Sequence, residues 1–233
     1  MNLLDFSGYG DEIARGLALT LSVGVGALVV AILCGLLGAA GKLSHSWAAQ
    51  KAAFVYTTLV RGVPELVLII LLYYGVPTAV QNVVRLAVPG YRLDFNPAVT
   101  AVVVIGLIYG AFMAEVFRGA FLAVPPGQME TARAYGMSRR QTFFRIHMPQ
   151  MWRFALPGIG NVWMVLIKAT ALVSVVGLKD TLYWSGKAGE ALFEPFKFFL
   201  IAALIFLGIT FVSEQVFRIA ERRASRGVAR VRH

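Results

Sequence analysis

Five long apolar segments divide this chain, and they limit the folds that it can form. Each holds about 20 or more residues, which is enough for a helix to cross the hydrocarbon core of a bilayer. Only helices and closed barrels satisfy their backbone hydrogen bonds in that environment. We therefore predict an all-α integral membrane protein with about five transmembrane helices, in a single transmembrane domain over residues 1–233. The predicted spans cover approximately residues 13–40, 62–80, 98–121, 156–176 and 195–217.

The overall composition supports this class. Hydrophobic residues make up 58% of the chain and charged residues 15%, whereas about a quarter of a soluble domain is charged. The net charge of +10 is also compatible with a nucleic-acid-binding protein. However, the basic residues lie at the ends of the apolar segments rather than on one solvated face, as is typical of membrane proteins. We expect the lipid bilayer as the environment and no nucleic acid as a partner.

The distribution of Lys and Arg also predicts an orientation. Most of the 22 basic residues lie in or beside residues 41–51, the polar stretch 125–155 and the C-terminal tail. Because positively charged loops stay on the cytoplasmic side, we expect a periplasmic N-terminus and a cytoplasmic C-terminus in a bacterial inner membrane. Acidic residues stand where a cleavable signal needs basic ones, so we expect the first span to be retained; these residues are Asp5, Asp11 and Glu12.

The chain offers few groups for covalent or metal chemistry. Its single cysteine, Cys34, lies in an apolar span and is expected to be a small buried hydrophobe. The three histidines, His45, His147 and His233, fall in predicted loops or the tail, with no nucleophile motif or metal-ligand spacing. An intramembrane enzyme is therefore disfavoured, and we expect a non-enzymatic chain that holds no metal or other cofactor itself.

Small residues predict where helices approach each other closely. Gly106-x-x-x-Gly110 in the third span is a close-packing pair, because glycines let helix backbones meet. Residues 178–194 are polar and are expected to be short-helical or re-entrant. The first span carries small residues that suit the same kind of contact: Gly24, Ala27, Ala31, Gly35 and Gly38.

The polar stretch of about residues 125–155 predicts a helix, a turn and a second helix. Pro126 suits a first helical turn, and Gly136 suits the left-handed position that ends a helix. The segment Ser138–Gln141 has the pattern of a capping box for the next helix. Pro149 is predicted to stop that helix, because proline cannot donate a backbone hydrogen bond.

The spacing within this stretch resembles the cytoplasmic EAA loop of ABC importer permeases. Its skeleton is Glu130-x-Ala132-x-x-x-Gly136, followed after nine residues by Ile146-x-Met148-Pro149. Thr131 and Met148 depart mildly from the usual Ala and Leu. In that family the short helix of the loop docks into a groove on the ATP-hydrolysing subunit. The resemblance implies a type I importer permease fold and assigns ATPase coupling to Glu130, Ala132, Gly136, Arg139, Arg140, Ile146 and Pro149. Arg139, Arg140 and Arg145 either pair with acidic groups on the ATPase or form the solvated side of the loop.

The resemblance extends over nearly the whole chain to the polar amino-acid uptake permeases. The chain is most similar to Q-type subunits of histidine and lysine/arginine/ornithine systems, and opine permeases belong to the same branch. The matching segments are 56–65, 108–111, 115–119, 156–161, 168–178 and 221–228. The resemblance implies a heterodimer with an M-type permease, a dimeric ATPase that binds ATP and Mg²⁺, and a periplasmic binding protein that delivers an amino acid. Uptake of basic amino acids or histidine is the leading expectation, with opines or other polar amino acids as alternatives. A channel that works without ATP would not need a docking loop.

Five residues within the spans are candidates for the substrate pathway. An acid inside a span is costly and usually faces a protein interior or a water-filled path, so Glu115 is the first candidate. Its alternative role is an ion pair with Arg118, three residues on. Glu65 is a weaker candidate, since a first-turn position at a helix start explains it. Tyr73 and Tyr109 either line the path or anchor the helices.

Lys168 is the remaining candidate, and its neighbourhood departs from the family pattern. Many members have Lys-Asp-Thr-Ser-Leu at this place, whereas Ala169 stands here instead of the acid. The departure leaves the substrate open and suggests that a partner subunit supplies more of its binding site. Lys168 itself could neutralise Glu65 or Glu115.

Overall fold

The computed structural model describes residues 8–225, and within this range every regular element is helical. Asp5 and the residues from Arg226 to His233 lie outside it. Five helical stretches in residues 8–225 are long and apolar enough to cross a membrane: Gly10–Leu43, Glu65–Ala87, Pro97–Leu122, Arg139–Val176 and Pro195–Ala224. The elements are α1 (Gly10–Leu43), α2 (Trp47–Gly62), α3 (Glu65–Ala87), α4 (Pro97–Leu122), α5 (Pro126–Ala134), α6 (Arg139–Thr142), a π-helical turn (Phe143–His147), α7 (Met148–Ala169), a 3₁₀ segment (Thr170–Val176), α8 (Thr181–Ala191) and α9 (Pro195–Ala224).

The centre of the bundle is the pair α1 and α4, which run parallel to each other: Val30 meets Gly106, Cys34 meets Gly110 and Lys42 meets Glu115. A Cβ atom on Gly110 would lie 2.6 Å from Cβ of Cys34, and one on Gly106 would overlap Val30. On the other helix, a Cβ atom on Gly35 would overlap Met113. The two backbones therefore approach each other as the small-residue pattern predicts. Cys34 is partly buried in this contact.

The other long helices pack around this pair. Phe117 of α4 and Met151 and Leu166 of α7 are fully buried in one apolar core. Gly160 of α7 faces Phe217 of α9, with 3.1 Å between a Cβ atom placed there and the ring. A smaller apolar cluster joins the start of α1 to α8 and α9: Ile13, Ala188, Phe198 and Ile201. Residues 178–194, which were expected to be short-helical or re-entrant, thus contain helix α8.

The second apolar segment begins at a break in the helix. Helix α2 ends at Gly62, Val63 and Pro64 are extended, and α3 begins at Glu65. Pro64 is the N-cap residue, and the carboxylate of Glu65 lies in the first turn, where the helix dipole favours an acid. Helix α3 then continues beyond the predicted end at residue 80 to Ala87.

The polar stretch begins as its sequence predicts. Pro126 occupies the first turn of α5, and Gly136 follows that helix with φ of +81°. The N–H of Met137 donates to the carbonyl of Ala132 at 3.1 Å, which closes the end of the helix. Ser138 and Gln141 form both bonds of a capping box at the start of α6.

The prediction that Pro149 ends the second helix is wrong. The chain is helical from Arg139 to Val176, and Pro149 lies in the first turn of α7. The turn before it is π-helical, and Met148 N–H donates to the carbonyl of Phe143, five residues back. A π turn shifts the hydrogen-bond register by one residue, so a proline directly after it is accommodated. The fourth span, predicted to start at residue 156, is therefore continuous with the polar stretch.

Replacement of Gly35 by Ala tests the close contact between α1 and α4. Alanine is the better helix former, but its Cβ atom would overlap Met113, so Gly35→Ala should lower the free energy of unfolding by about 1–3 kcal/mol. Gly208→Ala in α9 is the matched control, because no other atom lies within 4 Å of the added Cβ atom. Unfolding of the detergent-solubilised chain by SDS titration measures both. Equal stabilities of the two variants would contradict the close contact.

Candidate functional site

The predicted coupling residues gather at one end of the bundle, which we call the loop end. It contains Leu43 of α1, Leu122 of α4 and the whole of α5. A cavity of about 430 Å³ lies between α5 and the π-helical turn. Buried Ala132 and half-buried Ile146 meet in it, together with Thr131, Tyr135 and Met137. The ring of Tyr135 is 86% exposed, so this apolar surface is open.

The other coupling candidates lie outside that cavity. Glu130, Gly136 and Pro149 are exposed, and so are Arg139 and Arg140. Because Glu130, Arg139 and Arg140 are exposed, their charges are available to a partner. Exposure is compatible with both roles of the arginines, pairing with acidic groups on the ATPase and forming the solvated side of the loop. Helix α5 is tied to α7 by a hydrogen bond between the side chains of Gln128 and Gln150. Thus the short helix is attached to the membrane-crossing stretch while its charged side stays free.

Glu115 is surrounded by three cations near the same end. It forms an ion pair with Lys42 of α1 and with Arg118, whose Nε lies 2.9 Å from Oε2. Arg61 of α2 adds a longer contact of 3.7 Å. The ion pair between Glu115 and Arg118, which the sequence offered as the alternative role, is therefore present as part of a network of three cations around one carboxylate. A carboxylate already offset by three positive charges is a poor site for a further cation.

A second acid lies at the break between α2 and α3. Tyr109 donates a hydrogen bond of 2.7 Å to Oε1 of Glu65. The ring of Tyr109 is only 3% exposed and packs against Phe112 at 5.6 Å between centroids. Glu65 itself is half-buried. The structure thus brings two of the predicted pathway residues into direct contact.

The last two pathway candidates lie apart from this pair. Tyr73 is half-buried and packs edge-on against Tyr74, as an anchoring aromatic would. Lys168 is exposed near the end of α7, and it makes no ion pair with any carboxylate in residues 8–225. It therefore neutralises neither Glu65 nor Glu115. The cations that pair with Glu115 come instead from its own helix, α4, and from α1 and α2, which are distant in the sequence.

Asp180, at the opposite end of the bundle, was missed by the sequence reasoning. It is fully buried, and its Oδ1 accepts the N–H of Tyr183 at 2.8 Å as the N-cap of α8. Its other oxygen has no hydrogen-bond partner among the described residues. Next to it, the hydroxyls of Thr20 and Thr181 lie 2.8 Å apart. An acid directly before a helical segment is an N-cap signal, and it could have identified this residue.

Burial raises the pKa of Asp180 to about 7, although the N–H groups of Tyr183 and Leu182 oppose the change. The folded state therefore holds a proton that the unfolded chain releases near pH 4. Because the native state binds more protons between these values, stability should fall as the pH rises from about 4 to about 7.

Asp180→Asn should abolish this pH dependence, since asparagine keeps the N-cap acceptor without titrating. The unfolding midpoint, measured between pH 4 and pH 8, should decline for the parent chain and stay level for the variant. Asp94→Asn at the same end is the control and should retain the parental decline. A parental decline in Asp180→Asn would show that another group is responsible.

Glu115→Gln tests whether this residue is structural. Loss of the carboxylate would leave Lys42, Arg61 and Arg118 without their counter-charge. We expect a loss of about 1–3 kcal/mol, between the values for exposed and buried pairs, because Glu115 is partly exposed. Glu214→Gln, which breaks an exposed pair with Arg218, should cost less than about 1 kcal/mol. If Glu115 contacts substrate instead, the KM for uptake would rise without a loss of stability.

A bundle of membrane-crossing helices that holds a short helix exposed at one end has the architecture of a membrane transport subunit. Residues 16–226 match the model of the family described as "Binding-protein-dependent transport system inner membrane component", so the chain belongs to this family of inner-membrane permeases. Such permeases are transport components rather than catalysts, and they work with an ATPase, a binding protein and a further transmembrane subunit.

Individual relatives cover nearly the whole chain. It is 44% identical over 223 residues to the histidine/lysine/arginine/ornithine transport system permease protein HisQ of Escherichia coli (strain K12), which covers 96% of this chain and 97% of that protein. Identity to the octopine transport system permease protein OccQ of Rhizobium radiobacter is 41%, with 96% and 94% covered. The crystal structure of an amino acid ABC transporter with histidines contains a chain that superposes with a TM-score of 0.80 at 27% identity, covering 96% of this chain and 99% of that one. The predicted family and fold are thereby confirmed.

Proposed function

We propose that this chain is the permease subunit of an ATP-driven importer that takes up basic amino acids and histidine from a periplasmic binding protein. The 44% identity to a histidine/lysine/arginine/ornithine permease over nearly the full length supports this choice. Opine uptake is the second candidate, because the identity to an octopine permease is almost as high. The chain performs transport and breaks no covalent bond.

The exposed helix α5 is the observation that carries the proposal. It presents an open apolar cavity around Ala132 and Ile146 beside exposed Glu130, a combination that fits a docking helix. In the proposed assembly α5 binds a groove on a dimeric ATPase, which holds ATP and Mg²⁺, while this chain holds no cofactor. In this proposal the loop end and the C-terminus lie in the cytoplasm and the N-terminus lies in the periplasm. An M-type permease completes the transmembrane heterodimer.

The continuous helix supports a coupling role for this end. Residues Arg139–Val176 form one helical stretch from the loop to the far side of the bundle. Movement of the ATPase against α5 and α6 would therefore be carried into a membrane-crossing helix. The π-helical turn at Phe143–His147 lies at the junction, where a local change in helical register is possible.

Within the membrane, the pair of Glu65 and Tyr109 is the best supported contact for a cationic substrate. Tyr109 donates to one oxygen of the carboxylate, and within residues 8–225 no basic side chain forms an ion pair with Glu65. An ammonium or guanidinium group would complement that carboxylate. Glu115 is less suitable, since Lys42, Arg61 and Arg118 already surround it.

Uptake by proteoliposomes tests the proposed function. They would contain this permease, its partner permease and the ATPase, with ATP inside and the binding protein outside. Labelled arginine and histidine are offered separately, with octopine as the competing candidate. ATP-dependent uptake of either amino acid is the expected result. Uptake of octopine alone would contradict the proposed substrate and favour opine uptake. Uptake without ATP would contradict the ATP-driven importer class.

Gly136→Val should uncouple the transporter. Gly136 has φ of +81°, which a β-branched residue adopts only at a cost of about 1–3 kcal/mol, so the turn after α5 should distort. Substrate uptake should fall towards background while membrane insertion and unfolding of the bundle change little. Gly90→Val is the matched control, since Gly90 has φ of +85° in the loop at the opposite end. Undiminished uptake by Gly136→Val, or an equal loss in both variants, would count against the docking role.

A further inference from the structure

A cavity of about 500 Å³ opens at the loop end between α1, α2 and α4. We call it the basic cavity. One side is formed by a face of α2, and the other by charged residues near the ends of α1 and α4. The residues that define it are Lys42, Trp47, Lys51, Phe54, Glu115 and Arg118. None of them belongs to α5, so the basic cavity is separate from the proposed ATPase contact.

The charges around this cavity do not balance. Lys42 and Arg118 both bind Glu115, and Arg61 lies 3.7 Å from the same carboxylate. Lys51 is exposed, and within the described part of the chain it makes no ion pair. Its ammonium instead lies over the ring of Trp47, 5.9 Å from the centroid. The cavity lining therefore holds three cations, Lys42, Lys51 and Arg118, and one carboxylate, and the excess positive charge complements an anion such as a phosphate group.

The rim of the cavity is aromatic and open. The side chain of Trp47 is 74% exposed and that of Phe54 is 59% exposed. They stand seven residues apart on α2, which places them on the same face as Lys51. Lys42 lies over the ring of Phe54, with 5.9 Å to the centroid. Cationic and apolar groups thus alternate across one surface.

The position of the cavity coincides with the boundary of the membrane. Lys42 is the penultimate residue of α1, and Arg118 lies one turn before the end of α4. Because both helices are membrane-crossing, Lys42 and Arg118 lie at the boundary between the hydrocarbon core and the lipid headgroups. Exposed tryptophan is typical of that boundary, and basic pockets between membrane helices bind lipid headgroups.

We propose that the basic cavity binds an anionic phospholipid, with the headgroup phosphate at Lys42, Lys51 and Arg118 and the acyl chains along Trp47 and Phe54. An amphipathic ligand satisfies both the cations and the exposed rings. An acidic segment of another subunit would complement the cations but would leave the rings exposed. The bound lipid fastens α2 to the ends of α1 and α4.

Labelling with a photoactivatable phosphatidylglycerol tests this proposal. The assembled transporter is placed in phosphatidylcholine nanodiscs with increasing mole fractions of the probe, and adducts are mapped to peptides by mass spectrometry. Saturable labelling of α2 is expected. Lys51→Gln should raise the half-saturating mole fraction about fivefold, the effect of one basic residue near a membrane surface. Lys51→Arg should restore it, because the charge is kept.

Lys187→Gln is the matched control, since it removes one positive charge from an exposed lysine at the opposite end of the bundle. Labelling of α2 should be unchanged in this variant. Equal labelling of the parent and Lys51→Gln would overturn the proposal. So would competition by millimolar inorganic phosphate, which would identify a free anion as the ligand. Labelling of the isolated chain that is lost in the assembly would show that another subunit covers the cavity.

Discussion

The close approach of α1 and α4 is the contact on which the rest of the structure depends. In lipid there is little hydrophobic gain from joining two helices, so van der Waals packing between small residues has to hold them together. Gly35, Gly106 and Gly110 permit this approach, and each lies where a Cβ atom would collide with the facing helix. The same approach brings Lys42 to Glu115 at the loop end. Packing in the apolar layer thereby determines the electrostatics at its boundary.

The second organising element is the long helix from Arg139 to Val176. It begins in the exposed loop, passes the π-helical turn and continues across the bundle. Because the side chains of Gln128 and Gln150 form a hydrogen bond, α5 and the membrane-crossing helix are connected. The proposed coupling to an ATPase needs such a connection, since movement of the ATPase has to reach the membrane-crossing helices.

Much of the fold could be predicted from the sequence because its signals are local. Apolar length identifies the spans, and Pro126, Gly136 and the Ser138–Gln141 capping box define the start of the polar stretch. Pro149 misled the prediction, since its effect depends on a shift in helical register that no single residue encodes. The coupling role proposed for this stretch comes from the family resemblance, because composition alone does not indicate it.

The site within the membrane was harder to predict because its contacts join distant parts of the chain. Glu115 was the first candidate for substrate contact, with an ion pair to Arg118 as the alternative. The structure adds Lys42 of α1 and Arg61 of α2 to that pair. Asp180 is buried by the close approach of Gly16, whose added Cβ atom would lie 2.7 Å from the Asp180 carbonyl oxygen. Neither arrangement follows from spacing along the sequence. Local sequence signals therefore predict the helices and turns of the loop end, whereas the side-chain contacts within the bundle depend on the folded structure.

Cross-linking from α5 tests the central claim most directly, namely that this helix contacts the ATPase. A cysteine replaces exposed Glu130 in the assembled transporter, and a second variant carries the cysteine at exposed Tyr91 near the opposite end. A short thiol-reactive, photoactivatable cross-linker is attached to each. The account predicts that position 130 links to the ATPase subunit and that position 91 does not. No link from position 130, or an equal link from position 91, would contradict it.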